Sequence, residues 1–383
     1  MSAIEHNRAS QCWGQRATMT SLLELEQITV SGGPRSMGHQ QGEALKERIK
    51  SFLEMRFAAV HEYSRDRGLD SADGILDIGR ASLSMFQEWD PDGYEEHTGI
   101  AEGAGVDSVE LYTATNMTDM RDALLLNAAL SPPTADSEGC SALLVPGHLT
   151  HDGHSIAGQT WDLNPPDIDY IVAINRRPDE GRQTWAVTCA GCLTLMGIND
   201  SGLSVGTTNI KTWGSRPGIG YLATLHRMLR ARDVSEAAAI LTATPRSGAH
   251  VFWMADPFQM REYETSPFDA ILREPTQSAV CHTNHCIDEK NIARQAEAGT
   301  ESSTCRLETM EEMLAIGGHT TDSVKAIFSD RSHGVLSINR YAEDDQGTAT
   351  NAVFIAVPAR REAWACRGPA DRGQWYRLGF DRS

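Results

Sequence analysis

The sequence changes character once, at the segment SPPTADSEG (131–139), and that change limits the folds open to the chain. Up to about Leu130 the apolar residues recur every three or four positions, the spacing that places them on one helical face. LEQITVSG near the start reads as a short strand, and GGPRSMGHQQGEALKERIKSFLEMRFAAVHEYS as a turn entering one long helix. Gly38 and Gly42 lie one helical turn apart, share a face and permit a close helix contact. SADGILDIGRASLSMFQEW and SVELYTATNMTDMRDALLL predict further helices.

From Cys140 onward the pattern shortens. CSALLVPG, SIAGQTWD, DYIVAINRR, TWAVTCAG, LTLMGIND and LSVGTTNI are apolar or alternating runs separated by Gly, Pro or Asp. They predict consecutive strands of a mostly antiparallel sheet. GYLATLHRMLRAR and DVSEAAAILTA follow as helices, the second with Asp233 as N-cap. HVFWMAD, MREYETS and SAVCHTN return to strand, and SSTCRLETMEEMLAIG is a capped helix. GVLSINRY, TATNAVFIAVPA and REAWACRG are expected as closing strands. No repeat of 20 to 50 residues is present. Helices, then strands, helices and strands suit a layered α+β domain better than a regular βαβ alternation.

The expected division is a flexible arm at 1–22, a mainly helical segment at 23–139 and a catalytic part at 140–383. The 383 residues carry a net charge of −18, which disfavours nucleic acid and anionic membranes as partners. No apolar run reaches the roughly 18 residues of a membrane span. The N-terminus lacks the apolar stretch of a secretory signal. Eight Cys in so long a chain do not suggest a disulfide framework, so the cytoplasm is the expected compartment.

Cys140 carries the sharpest chemical signal. Gly139 leaves it sterically open, and the loop before it could be cut without removing a strand. A cut there would give Cys140 a free α-amine. An α-amine has a pKa of about 7.7–8.0, so one residue would supply both thiol nucleophile and general base.

Five motifs around that step resemble the acyl-coenzyme A:6-aminopenicillanic acid acyltransferase family of N-terminal nucleophile hydrolases. They are GGPRSMGHQQGEAL, GCSALL with GQTWDLN, GINDSGLSVGTTNI, HTNH (282–285) and SINRY (337–341), in the family's order. The resemblance implies a four-layer αββα fold with two antiparallel sheets between helices. It implies self-cleavage between Gly139 and Cys140, with the 1–139 piece retained as a helical α subunit. Cys140 would then be the nucleophile, Asp162 would orient its α-amine, and Asn284 would donate to the oxyanion. Asn209 is expected near the pocket, and Arg306 or Arg340 as its cation. Ser141 stands where many relatives carry Thr. Gln159 stands where bile salt hydrolases carry Arg, which points toward the acyltransferase-like branch. The implied reaction is cleavage of a small N-acyl amide through an acyl-Cys140 intermediate, with no cofactor and a possible homo-oligomer.

Three other readings remain on the sequence. A coenzyme A-dependent N-acyltransferase would use the same site. CAGC (189–192) with CHTNHC offers zinc ligands but not knuckle spacing, so no metal is expected. A non-catalytic binding protein of the same fold would stay uncut.

Overall fold

The computed structural model describes residues 22–66, 72–127 and 139–380. The expected arm, apart from Leu22, and the 131–139 loop, apart from Gly139, lie outside the described residues.

Strand β1 (Glu26–Gly32) leads into helices α1 (Pro34–Ala44), α2 (Lys46–Asp66), α3 (Ile75–Trp89), α4 (Pro91–Ala104), α5 (Ser108–Thr115) and α6 (Met117–Leu125). The strands β2 (Gly139–Val145), β3 (Ile156–Leu163), β4 (Ile171–Pro178), β5 (Thr184–Cys189), β6 (Met196–Asn199) and β7 (Ser204–Asn209) follow. Helices α7 (Tyr221–Leu229) and α8 (Val234–Ala243) precede β8 (His250–Ala255), β9 (Met260–Thr265), β10 (Ala270–Arg273) and β11 (Val280–His282). Helices α9 (Glu289–Ile292), α10 (Glu301–Leu314) and α11 (Thr321–Phe328) and strands β12 (Ala349–Val357), β13 (Glu362–Arg367) and β14 (Tyr376–Gly379) complete the order.

The strands form two sheets. One runs β1-β4-β5-β6-β7-β8-β9-β10 and the other β11-β2-β3-β12-β13-β14. The sheets face each other through β2, β3 and β12 against β6, β7 and β8. Helices α1, α7 and α8 cover the first sheet, and α10 and α11 cover the second. The fold is therefore α+β, with two sheets between helical layers. Gln159 on β3 ties the sheets together. Its Oε1 accepts from Thr207 N and from Trp253 Nε1, both at 2.7 Å.

Four local expectations change. The strands after Cys140 do not form one consecutive sheet: β2 and β3 make a hairpin in one sheet, and β4–β7 build the other. The pairing is antiparallel except for β1, which lies parallel to β4, with helices α1–α6 and the β2–β3 hairpin of the other sheet between them in the chain. The expected single helix at 34–66 bends at Leu45, where φ is −113° and ψ 17°. There α1 packs on α4, and a methyl on Gly38 or Gly42 would overlap the Glu96 or Ile100 carbonyl oxygen. SINRY is no strand. Asn339 satisfies local groups instead of a ladder, with Oδ1 accepting Ala370 N at 3.0 Å and Nδ2 donating to Asp371 Oδ1 at 2.7 Å.

One apolar core runs through both sides of Cys140, joining Ile49, Phe52, Phe86 and Ile100 to Ala173, Val187, Leu225 and Trp253. Among the described residues no helix is long and apolar enough to cross a membrane.

Candidate active site

Strand β2 is buried on both faces, so alternation along it has chemical consequences. Cys140, Ala142 and Leu144 join the core between the sheets, whereas Leu143 and Val145 join the cluster under α10 and α11. The Cys140 thiol therefore belongs to the inter-sheet side. Gly139 and Cys140 are consecutive residues of β2, and the Cys140 nitrogen is a peptide N–H.

Side chains from other elements hold the Cys140 backbone. Cys140 N–H donates to Asn284 Oδ1 at 2.7 Å. Arg306 Nη1 donates to Cys140 O at 2.5 Å and to Ser141 Oγ at 2.9 Å, while its Nη2 donates to Asn284 Oδ1 at 2.9 Å. Asn284 Nδ2 donates to Asn209 O at 2.9 Å. The expected oxyanion donor thus has its oxygen on the Cys140 nitrogen and one N–H on the end of β7.

The scaffold fixes Asn284 from two directions. Ser303 Oγ on α10 accepts Asn284 N at 2.9 Å, and Thr283 Oγ1 donates to Ser303 O at 2.9 Å. Glu264 on β9 accepts Ile287 N at 2.8 Å, and His282 Nδ1 lies 3.0 Å from Glu262 Oε1. Thr300 caps α10 by accepting Ser303 N, which aims Arg306 along the buried side of the helix.

Register brings in Asp162. In the β2–β3 hairpin Gly139 pairs with Asp162 and Cys140 with Trp161. Asp162 is fully buried, and neither carboxyl oxygen has a hydrogen-bond partner at normal geometry. Burial pushes its carboxyl above the usual carboxylate range, against the pull of Arg306 and Arg340. Burial brings the Arg306 guanidinium down to about 10, with repulsion from Arg340 adding to the effect, so it stays charged at neutral pH. Arg340 is also lowered by burial, with Asp162 opposing. A methyl on Gly139 would overlap Arg340 Nη1 and touch Asp162. Both candidate arginines therefore meet at the Gly139–Cys140 step.

A small cavity adjoins the thiol. Cys140, Trp161, Asp162, Leu163, Thr207, Asn209, Thr118, Tyr221 and His250 line about 20 Å³, room for roughly one water. The last three escaped sequence reasoning. Thr118 lies in the helical segment, and His250 looks like one residue of an apolar strand. Its signal is the pairing of His250 with Asn209 across β7 and β8, which sequence alone does not provide. A cavity of about 480 Å³ lies apart, lined by Gly33, Glu96, Arg176 and His226 among others. No Cys or Ser is among its lining residues. Among the described residues no group of three or more His, Cys, Asp or Glu is placed to hold a metal. Cys189 and Cys192 are buried at the end of β5.

Two facing sheets between helices, with a cysteine at the second position of an inner strand, define the class of N-terminal nucleophile hydrolases. Within it, the chain belongs to the acyl-coenzyme A:6-aminopenicillanic acid acyl-transferase family, whose profile matches residues 149–371, more than half the chain. The matched region begins after Cys140, so the family match and the Cys140 geometry are independent observations. No curated protein matches the chain. Among solved structures, penicillin V acylase from Agrobacterium tumefaciens aligns at 13% identity and TM-score 0.42, over 63% of this chain and 86% of that one. A mutant of the conjugated bile acid hydrolase from Clostridium perfringens aligns at 10% identity and TM-score 0.36, over 63% and 97%. Membership in the family makes the chain an enzyme of amide hydrolysis or acyl transfer.

Proposed function

We propose that the chain cuts its own Gly139–Cys140 bond and then hydrolyses the amide of a small N-acyl compound through a thioester on Cys140. The carrying observation is the convergence of Asn284, Arg306, Arg340 and Asp162 on that single peptide step. In self-cleavage the thiol attacks the Gly139 carbonyl carbon, the C–N bond breaks, and the Cys140 nitrogen leaves as an amine. Water then hydrolyses the thioester to a Gly139 carboxylate and a free thiol.

The new amine sits where the peptide N–H sat, beside Asn284 Oδ1 and across from Asp162. As general base it takes the thiol proton for attack on a substrate amide and gives it to the leaving amine. Asn284 Nδ2 and a backbone N–H serve the oxyanion. Asn209 orients Asn284, and Arg306 fixes the strand carbonyl so that thiol and amine keep their geometry.

The residues before the cut remain bound as a subunit. They supply β1 to the larger sheet and share its core. They also cap α7, whose N-cap Gly220 has no side chain to do so. Gly220 N donates to Tyr112 Oη at 3.0 Å, Tyr221 N to Asp119 Oδ2 at 2.7 Å and Leu222 N to Asn116 Oδ1 at 3.3 Å.

The family name favours one second reading, in which an amine rather than water resolves the acyl-enzyme. Incubating processed protein with an amide library, with Cys140→Ala as blank, and reading the Cys140 peptide by mass spectrometry tests the first. An acyl mass on Cys140 that water discharges supports hydrolysis. Discharge only on adding an amine supports transfer, and no adduct from any turned-over amide overturns the nucleophile assignment.

A further inference from the structure

The cavity beside Cys140 contains a polar cluster that the acyl chemistry does not use. His250, the first residue of β8, lines it with Tyr221 and Thr118. The imidazole is buried and stacks on Tyr221 with ring centroids 4.7 Å apart. Its Nε2 lies 2.9 Å from Asp119 Oδ1, and Asp119 is itself fixed by Tyr221 N at 2.7 Å. A ring nitrogen that close to a carboxylate carries the hydrogen and donates it. In the neutral ring Nδ1 is then a bare acceptor. Nδ1 is buried and has no hydrogen-bond partner. The ring cannot flip to hide it without losing Asp119.

Asp162 also lines the cavity with unpartnered oxygens, and Arg306 and Arg340 draw its carboxyl. Trp161, Leu163 and Tyr221 give apolar surface, and the Thr207 hydroxyl is occupied in donating to Val251 O at 2.8 Å. An orphaned acceptor in a mostly apolar wall is how a small site selects a polar group. A site built to hydrogen-bond a donor also discriminates strongly against analogues that lack it, because its own buried group stays unpaired.

We propose that His250 is a specificity-determining residue of the Cys140 site. Its Nδ1 accepts a hydrogen bond from an N–H or O–H that the substrate carries close to the scissile carbonyl. Amides lacking such a donor are disfavoured, and so are those presenting a carboxylate there, because Asp119 stands behind the ring. The inference rests on the reading of Cys140 as nucleophile. It also makes the cavity composite, since Thr118 and the Asp119 that orients His250 both precede the proposed cut.

The test uses two alkylating probes with the same leaving iodide, iodoacetamide and N,N-dimethyliodoacetamide, of which only the first has an N–H. Each forms an S–C bond at the thiol with loss of iodide. The rate ratio at the Cys140 peptide, read by mass and divided by the ratio for free cysteine, cancels thiol reactivity. The wild-type chain is expected to favour iodoacetamide by about 3- to 10-fold, the range that one neutral hydrogen bond gives. His250→Phe is expected to lose that preference. His250→Asn, whose Oδ1 stands near the position of Nδ1, is expected to restore part of it, and His250→Gln is not. Processing at Gly139–Cys140 in each variant reports that the fold has formed. An unchanged ratio in His250→Phe overturns the role of His250 and leaves Cys140 in place. A wild-type Cys140 that neither probe modifies overturns both readings.

Discussion

Gly139→Ala is the smallest change that reaches the proposed cleavage step. The added methyl would overlap Arg340 Nη1 and lie 3.4 Å from Asp162 Cβ and Oδ2. Backbone β2 cannot yield, because Gly139 and Cys140 are paired to Asp162 and Trp161. Arg340 must move instead, and it is 5% exposed with Asp162 as its main attraction. Displacing one member of a close buried charge pair of this kind costs at least about 1.5–3 kcal/mol. At about 1.4 kcal/mol per factor of ten, processing should slow by roughly 10- to 150-fold. The assay is a time course of intact mass on freshly expressed protein. The cause is separable by a cycle. In an Arg340→Ala background the methyl has no guanidinium to displace, so Gly139→Ala should add no more than about 3-fold, the scale of pairs that no longer interact. If Gly139→Ala processes at the wild-type rate, the steric reasoning is refuted. If it is as damaging without Arg340 as with it, the damage arises elsewhere.

Further outcomes follow from the same geometry. Arg306→Lys should slow processing by about 10²–10³, the scale for losing an oriented donor, because one ammonium cannot span Cys140 O, Ser141 Oγ and Asn284 Oδ1; a near-normal mass time course would remove Arg306 from the machinery. Asp162 binds its proton to higher pH folded than unfolded, so its burial costs stability that grows as pH rises from the unfolded value near 3.9. In a Cys140→Ala background, Asp162→Asn should therefore gain Tm over Asp162 as pH goes from about 4 to 7, and a gap that narrows instead would contradict the raised carboxyl. Gly42→Ala should destabilise by about 1–3 kcal/mol in urea melts, because the methyl meets backbone of α4 that cannot repack; no change would mean that α1 and α4 are not in close contact.

The candidate site residues are legible where a motif places them on the chain and a hairpin or capped helix brings them together. GCSALL and GQTWDLN are neighbours in sequence, so β2 and β3 pair and Asp162 reaches Gly139. The Thr300 cap and the Ser303 contact make the placement of Arg306 and Asn284 equally local. Asp119 and His250 were not legible, because they are 131 residues apart and meet only through the docking of α6 on α7 and β8. SINRY misled for a different reason. Its alternation is that of a strand, but the Asn339 side chain donates to Asp371, and the Arg340 backbone N–H donates to the Thr350 hydroxyl instead of a ladder carbonyl. The split into two sheets also lies beyond local pattern. β3 and β4 are both buried apolar strands, and only the turn at Pro165–Tyr170 between them sends the chain to the second sheet.

The most direct test of self-processing is the intact mass of the purified wild-type chain beside Cys140→Ala under denaturing conditions. The account requires two wild-type species, residues 1–139 and 140–383, and one full-length species for Cys140→Ala. Wild-type protein that stays full length after long incubation, or Cys140→Ala cut at the same bond, would contradict it.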